Sequence, residues 1–190
     1  MGKVRFGLSN VHYAVLDTET NEYGAVKAIP GAVSMTTEYE GDTSNFYADN
    51  IVYETFATSS SLTGTLEFAA VENEVLADLL GYIDDNGLIL EDMSAQPTPF
   101  ALMFEVDGNQ RKQRTVYYNV KLSRPSDEHN TKEDTVEPNT VSFDFTAIGR
   151  DFDVNGETRN ISKGSIENTA ENKARFDSFM DSVLVPTPKA

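Results

Sequence analysis

The sequence predicts a mainly β protein with one helix flanking the strands and a second helix near the C-terminus. Three observations carry that prediction. Several segments alternate apolar and polar residues with period two. Only two segments carry a helical apolar stripe. Hydrophobic residues make up 39% of the chain, below the roughly 45–50% usual for globular proteins, and Ser, Thr and Asn fill the difference. That composition suits a thin sheet with much exposed face.

The strands read in order. Residues 11–16 (VHYAVL) are short, aromatic and β-branched, and end at a polar turn over 21–24. Val33, Met35, Thr37 and Tyr39 alternate with Ser34, Thr36, Glu38 and Glu40, which gives one acidic face. Leu62, Leu66 and Phe68 alternate with Thr63, Thr65 and Glu67, with Gly64 in the inward series. Residues 100–106 and 116–122 form a hairpin pair across a connection containing Asp107-Gly108. Val141, Phe143, Phe145 and Ala147 alternate with Ser142, Asp144, Thr146 and Ile148. Half-buried antiparallel strands have this pattern.

The first helix spans 72–80, with Val75, Leu76, Leu79 and Leu80 on one face and Gly81 as its C-cap. The second is expected over 169–184. Asn168 and Glu171 resemble a capping box, and Phe176, Phe179, Met180, Val183 and Leu184 form an apolar stripe ended by Pro186 and Pro188. The stripe is read as docking on the sheet of its own chain rather than on a partner. Two polar segments, 41–45 (GDTSN) and 125–138, read as long loops. The division expected is a β domain over 1–150 and an extension over 151–190 that holds a hairpin and the amphipathic helix.

Charge is distributed unevenly. Between Lys27 and Arg111 there is no lysine or arginine, yet residues 28–110 hold 15 carboxylates. The remainder has 16 acids against 15 bases, so almost all of the net charge of −16 comes from one segment. Such a surface repels polyanions, which argues against nucleic-acid binding and for a wall that polyanions pass without sticking. The absence of cysteine removes disulfides and thiolate metal sites. The opening MGKVRFGLSN lacks the apolar stretch of a signal peptide, and Phe6 stands where a myristoylation site needs Ser or Thr. No apolar run is long enough to span a bilayer. The chain is expected to be soluble and cytoplasmic when made.

Catalytic constellations are poor. The only histidines are His12, in a strand segment, and His129, in a polar loop. Ser59-Ser60-Ser61 lacks the glycine framing of a nucleophile elbow. Residues 81–87 lack the lysine and helix start of a phosphate loop. Arg111, Lys112 and Arg114 are read as partners for acids rather than a phosphate grip. Asp151, Asp153 and Asn155 with Gly156 match the start of a calcium loop, but Ser162 stands where the bidentate Glu belongs. The competing reading of that segment is a hairpin turning at Asn155-Gly156, and it is preferred. No catalytic residue, cofactor or metal is expected, so the chain is read as a non-enzyme.

Three stretches then resemble a known family. VRFGLSNVHYAVLD, YADNIVYETFATSSSLTGTLEFAAVENEVLADLLGY and FALMFEVDGNQRKQRTVYYNVKLSRPSDEHNTKEDTVEPNTVSFDFTAIGR are similar in order and spacing to phage major tail proteins of the phi13 type, over residues 4 to about 150. The resemblance implies a β-sandwich or barrel-like core and a homohexameric ring whose inner sheets join into one barrel. Rings stack into a tube in the virion tail, assembled in the host cytoplasm. The implied partners are other copies of the chain, a tape-measure protein, tail terminator and tail-tip proteins, and double-stranded DNA in transit without specific binding; no membrane is implied. Six copies at −16 each would bring −96 formal charges to a ring, so an acidic lumen would ease DNA transit. Glu38, Glu40, Glu54, Thr63, Thr65 and Glu67 are the expected lumen-facing residues, with the helix at 72–80 on the outer side. Asp42, Phe46, Tyr47 and Asp49 are the expected inter-ring contact. The alternatives are the inner tube of a contractile injection or secretion apparatus, a calcium-binding β-sandwich domain, and an acidic DNA mimic that inhibits a basic enzyme.

Overall fold

The structure is a computed structural model that describes residues 5–108, 111–125 and 140–186, without the side chains of residues 5–6, 42–43 and 56–60. The strands are β1 (Arg5–Asp17), β2 (Glu22–Tyr23), β3 (Lys27–Ala28), β4 (Ala32–Ala48), β5 (Ile51–Phe68), β6 (Ile83–Asp85), β7 (Leu88–Leu90), β8 (Phe100–Gly108), β9 (Gln113–Leu122), β10 (Val141–Ile148), β11 (Arg150–Val154), β12 (Glu157–Ile161) and β13 (Lys163–Glu167). The helices are α1 (Asn73–Leu80) and α2 (Lys173–Asp177), and a 3-10 turn covers Ser178–Met180. The principal sheet has the order β2-β1-β8-β9-β10-β5-β4, with β3 on β1 and β13 on β9. The β6–β7 and β11–β12 hairpins stand apart as two-stranded sheets.

The sheet is open but strongly curled. Leu8 and Val15 of β1 and Ala32 and Met35 of β4, strands from its two ends, pack on one apolar cluster. That cluster contains Leu62, Leu66, Phe68, Phe100, Leu102, Phe104, Tyr117, Val120, Phe143 and Phe145. These are the inward members of the period-two series, so the sequence alternation translates directly into burial. Helix α1 lies on the same face and buries Val75, Leu79 and Leu80. Gly81 ends it in the left-handed region (φ 72), and its N–H donates to the Ala77 carbonyl, the motif that glycine permits without a Cβ clash. Glu74 in the first turn complements the helix dipole and pairs with Lys27 Nζ at 2.8 Å. Asp78 on the same helix accepts from both Tyr13 Oη and Lys27 Nζ at 2.7 Å. These bonds fix the helix against β1 and β3.

A second cluster covers the opposite face of β8 and β9. Ala101, Met103, Val116 and Tyr118 meet Phe179, with Phe152, Ile161, Ile166, Met180, Val183 and Leu184 packed around them. Strand β8 is therefore buried on both faces from Phe100 to Glu105, which explains its unbroken apolar run FALMF.

Two expectations need correction. The segment 41–45 is strand, not loop: β4 continues to Ala48 and pairs with β5 throughout. Its Gly, Asp, Ser and Asn residues are turn formers in isolation, but the ladder with Thr55 to Ser59 satisfies their backbone groups. The C-terminal helix is also much shorter than 169–184. It begins at Lys173 with no side-chain cap, so the Asn168–Glu171 capping box does not form. The carbonyls of Phe176 and Asp177 accept from Arg114 Nη1 rather than serving a longer helix. Tyr118 Oη donates to the Leu184 carbonyl at 3.0 Å and holds the following chain against the sheet. The apolar stripe nevertheless docks on its own sheet, as expected. Of the polar stretch 125–138, all but Pro125 lies outside the described residues, as does His129.

Candidate functional site

The outward series of β4, β5 and β10 form one exposed polar face, turned away from α1. Register fixes its rows. Ser34 pairs with Glu67, Thr36 with Thr65 and Glu38 with Thr63; Thr65 then pairs with Asp144, and Thr63 with Thr146, which pairs with Lys121 of β9. On β4, β5 and β10 the side chains are hydroxyls and carboxylates, with Ile148 at one corner, and Lys121 of β9 borders them. Many are tied to one another. Ser34 Oγ donates to Glu67 Oε2 at 2.8 Å, Thr140 Oγ1 to Glu67 Oε1 at 2.6 Å, and Thr65 Oγ1 to Asp144 Oδ1 at 2.8 Å. The hydroxyls of Thr140 and Ser34 hold the Glu67 carboxyl below the usual carboxylate range. The Glu67 carboxylate is therefore anionic at neutral pH and held by two hydroxyls of the same face.

The face unites five of the six residues expected to line a lumen: Glu38, Glu40, Thr63, Thr65 and Glu67. Glu54 stands apart, nine positions before Thr63 along β5 and thus roughly 30 Å away at about 3.3 Å per strand residue. Asp144 and Thr146 belong to the face and were absent from the expected set. Their alternation with Phe143 and Phe145 was legible, but their adjacency to Thr65 and Thr63 depends on a long-range strand pairing that sequence spacing does not reveal.

Glu54 belongs to a second feature. Strands β4 and β5 contain 17 and 18 residues, but β10 pairs only with the Leu62–Phe68 portion of β5. Beyond that point the two strands continue as an isolated ribbon. It turns at Asp49-Asn50, both with positive φ (54 and 62), as a two-residue type I′ turn requires. Phe46, Tyr47, Ile51, Val52 and Tyr53 are exposed on it, Tyr53 by 71%. Phe46 and Tyr53 meet edge to face with centroids 6.4 Å apart. Asp42 pairs with Thr58 on the same ribbon, and its side chain lies outside the described residues. The aromatics are thus surface, not core.

The calcium candidates sit in an ordinary hairpin. Asn155 and Gly156 take positive φ (58 and 83), Asp153 Oδ1 accepts the Gly156 N–H at 2.8 Å, and Asp151 Oδ1 accepts from Asn160 Nδ2 at 2.6 Å. Among the described residues no three His, Cys, Asp or Glu side chains converge as a metal site. His12 Nδ1 is engaged with the Asn10 carbonyl at 2.9 Å. The basic trio pairs with acids. Lys112 and Arg114 clamp Glu105, and Arg111 lies 4.0 Å from Glu167. No described helix is long and apolar enough to cross a membrane.

The described residues thus form a curled sheet with a hydroxyl and carboxylate face, an open edge strand and an exposed apolar ribbon. A family model described as phage tail tube protein matches residues 2–189, and the chain belongs to that family. No curated protein matches it. The chain is accordingly a structural protein of the virion tail and not an enzyme, and it assembles with itself and with other tail components into the tube.

Proposed function

We propose that six copies form a ring in which the polar faces of β4, β5 and β10 line the bore, and that stacked rings make an acidic conduit for double-stranded DNA. One observation carries the reading: the broad sheet face opposite α1 is built from Ser, Thr, Glu and Asp side chains. Carboxylates on a wall repel phosphates, and short hydroxyls give DNA no cationic hold. Helix α1 would face outward. The unpaired edge of β4 would be covered by the next copy, which removes an edge that otherwise invites misassociation. The ribbon around Phe46, Tyr47 and Asp49 would reach the adjacent ring, because exposed aromatics of this kind are interface anchors. A tape-measure protein would fill the bore before DNA, and terminator and tip proteins would close its two ends.

The test is a map of assembled tubes by electron cryomicroscopy, joined to DNA ejection from particles carrying Glu40→Lys with Glu67→Lys. The expected result is a bore lined by Thr63, Thr65 and Glu67, with intact tubes and slowed ejection. A map in which these residues face the exterior overturns the reading.

A further inference from the structure

The exposed apolar surface of the subunit coincides with the segment that holds no base. Among the described residues, every exposed large apolar side chain except Ile148 and Val185 lies between Val33 and Met93. Two patches dominate. One is the ribbon of β4 and β5. The other is one face of the β6–β7 hairpin, where the register puts Ile83 beside Leu90 and Leu88 beside Asp85, all exposed, while Ile89 packs inward on the core. The open edge of β4 lies in the same segment. No lysine or arginine occurs between Lys27 and Arg111. Carboxylates alone therefore accompany these features: Glu38 and Glu40 on the edge strand, Asp49 and Glu54 on the ribbon, Asp84 and Asp85 on the hairpin.

The bases of the chain are spent elsewhere. Lys27, Lys112 and Arg114 take Glu74, Asp78, Glu105 and Asp107. Arg159 and Lys173 pair with Glu157 and Asp177, and Arg124 and Arg150 donate to backbone carbonyls. An apolar patch gains from burial only against another apolar surface, and in a second copy that surface belongs to the same base-free segment. Copies that meet there bring carboxylate to carboxylate. At about 10 mM salt the Debye length is about 30 Å, so this repulsion reaches across a whole contact; at about 0.15 M it is about 8 Å, and only facing groups are left to repel. We infer that dissolved cations gate self-assembly: the subunits stay apart at low ionic strength and associate once mobile counterions screen the carboxylates of the edge, the ribbon and the hairpin. The cations act as a diffuse atmosphere, because these carboxylates are spread over three separate elements. In the free subunit the same charges protect the open edge of β4 from stray strand pairing. The inference needs only that copies associate, as the family does, and holds whichever face lines the bore.

Sedimentation of the purified chain in sodium chloride from about 10 mM to about 0.3 M tests the gate. The protein concentration needed for tube formation should fall by at least about tenfold over that range, and potassium chloride should act as sodium chloride does. Salt also strengthens apolar burial, so two variants separate screening from salting out. Asp49→Asn with Glu54→Gln removes two charges beside the ribbon aromatics. It should lower the required concentration about threefold at the lowest salt and leave it unchanged at the highest. Glu171→Gln with Asp181→Asn removes the same charge from exposed positions near the C-terminus and should shift it less. None of these four side chains has a hydrogen bond or ion pair with another described residue, so both variants should melt as the parent does. A requirement that is flat or rises with salt, a response to one cation alone, or equal shifts from the two variants would overturn the gate. A parent chain that stays monomeric at every salt would do so as well, while the lining of the bore is judged separately by the map of assembled tubes.

Discussion

Arg114 Nε donates to Glu105 Oε2 at 2.8 Å across the β8–β9 ladder, where the two residues are register partners. Lys112 Nζ takes the other oxygen at 2.7 Å. The Glu105 side chain is 2% exposed, so this carboxylate survives in the interior only because two cations satisfy it. Arg114 also stacks on the Phe176 ring at 4.3 Å and donates to the Phe176 carbonyl. One arginine thus binds the central sheet to the C-terminal segment.

Removing that arginine leaves a buried carboxylate with a single partner. Arg114→Ala should lower unfolding free energy by about 2–3 kcal/mol in urea titrations, with Lys112 preserving part of the pair. Trypsin or chymotrypsin should then cut within 173–186 much faster than in the parent. Burial pushes the Glu105 carboxyl up, but the bonds from Lys112 and Arg114 outweigh it and hold the group below its ordinary range. The folded state therefore binds this proton less readily than the unfolded chain does. The contribution is complete above the unfolded carboxyl range and is lost as pH falls through the folded value. Glu105→Gln should flatten the acid limb of a stability–pH curve below about pH 4.5.

Alkaline stability depends on Tyr13. Burial, then its bond to Asp78, raises the phenol well above its ordinary value. The unfolded chain loses this proton first, so stability falls as pH rises from the unfolded value toward the folded one. Melting temperatures measured from pH 8 to 11 should decline less steeply in Tyr13→Phe than in the parent. The decline should not vanish, because burial raises Tyr23, Tyr117 and Tyr118 as well, Tyr118 to about 12.

Gly64 is a packing requirement of the polar sheet. A Cβ there would lie 2.2 Å from the Thr36 carbonyl oxygen and 2.7 Å from Phe145 Cζ. Both β4 and the Phe145 ring would have to move. Gly64→Ala should cost at least about 2–3 kcal/mol by denaturant titration, the scale of an overpacked core. A cost under 0.5 kcal/mol would mean that β4 and β5 are not seated as described.

The apolar ribbon should matter to the assembly and not to the subunit. Phe46→Ser with Tyr53→Ser removes a ring pair that touches neither core cluster. The melting temperature of the subunit should move by no more than about 2 °C, while sedimentation should find tube formation abolished. A double variant that stacks normally would move the inter-ring contact elsewhere.

Much of this architecture is legible in the amino-acid sequence. The alternation Phe143–Asp144–Phe145–Thr146 gave both strand and face, the stripe Val75–Leu79–Leu80 gave α1, and Asn155-Gly156 gave its hairpin. What escaped was nonlocal. Gly41, Asp42, Ser44 and Asn45 are residue types that favour turns, and only their ladder with β5 makes them strand. The C-terminal stripe had helical spacing, but its carbonyls are taken by an arginine some 60 positions earlier in the chain. The five carboxylates and threonines Glu38, Glu40, Thr63, Thr65 and Glu67 could be assigned to a face one strand at a time. Their union with Asp144 needed the β5–β10 register.

Strands β8 and β9, sandwiched between two apolar layers, imply a wide spread of amide exchange rates. Deuterium should enter their peptide groups last, at the rate of global opening, while the free ribbon of β4 and β5 should fill within the earliest time points. Incorporation into a tube should slow the ribbon and leave β8 and β9 as they were, so exchange would report polymerisation from one arm of the molecule with the other as its internal clock.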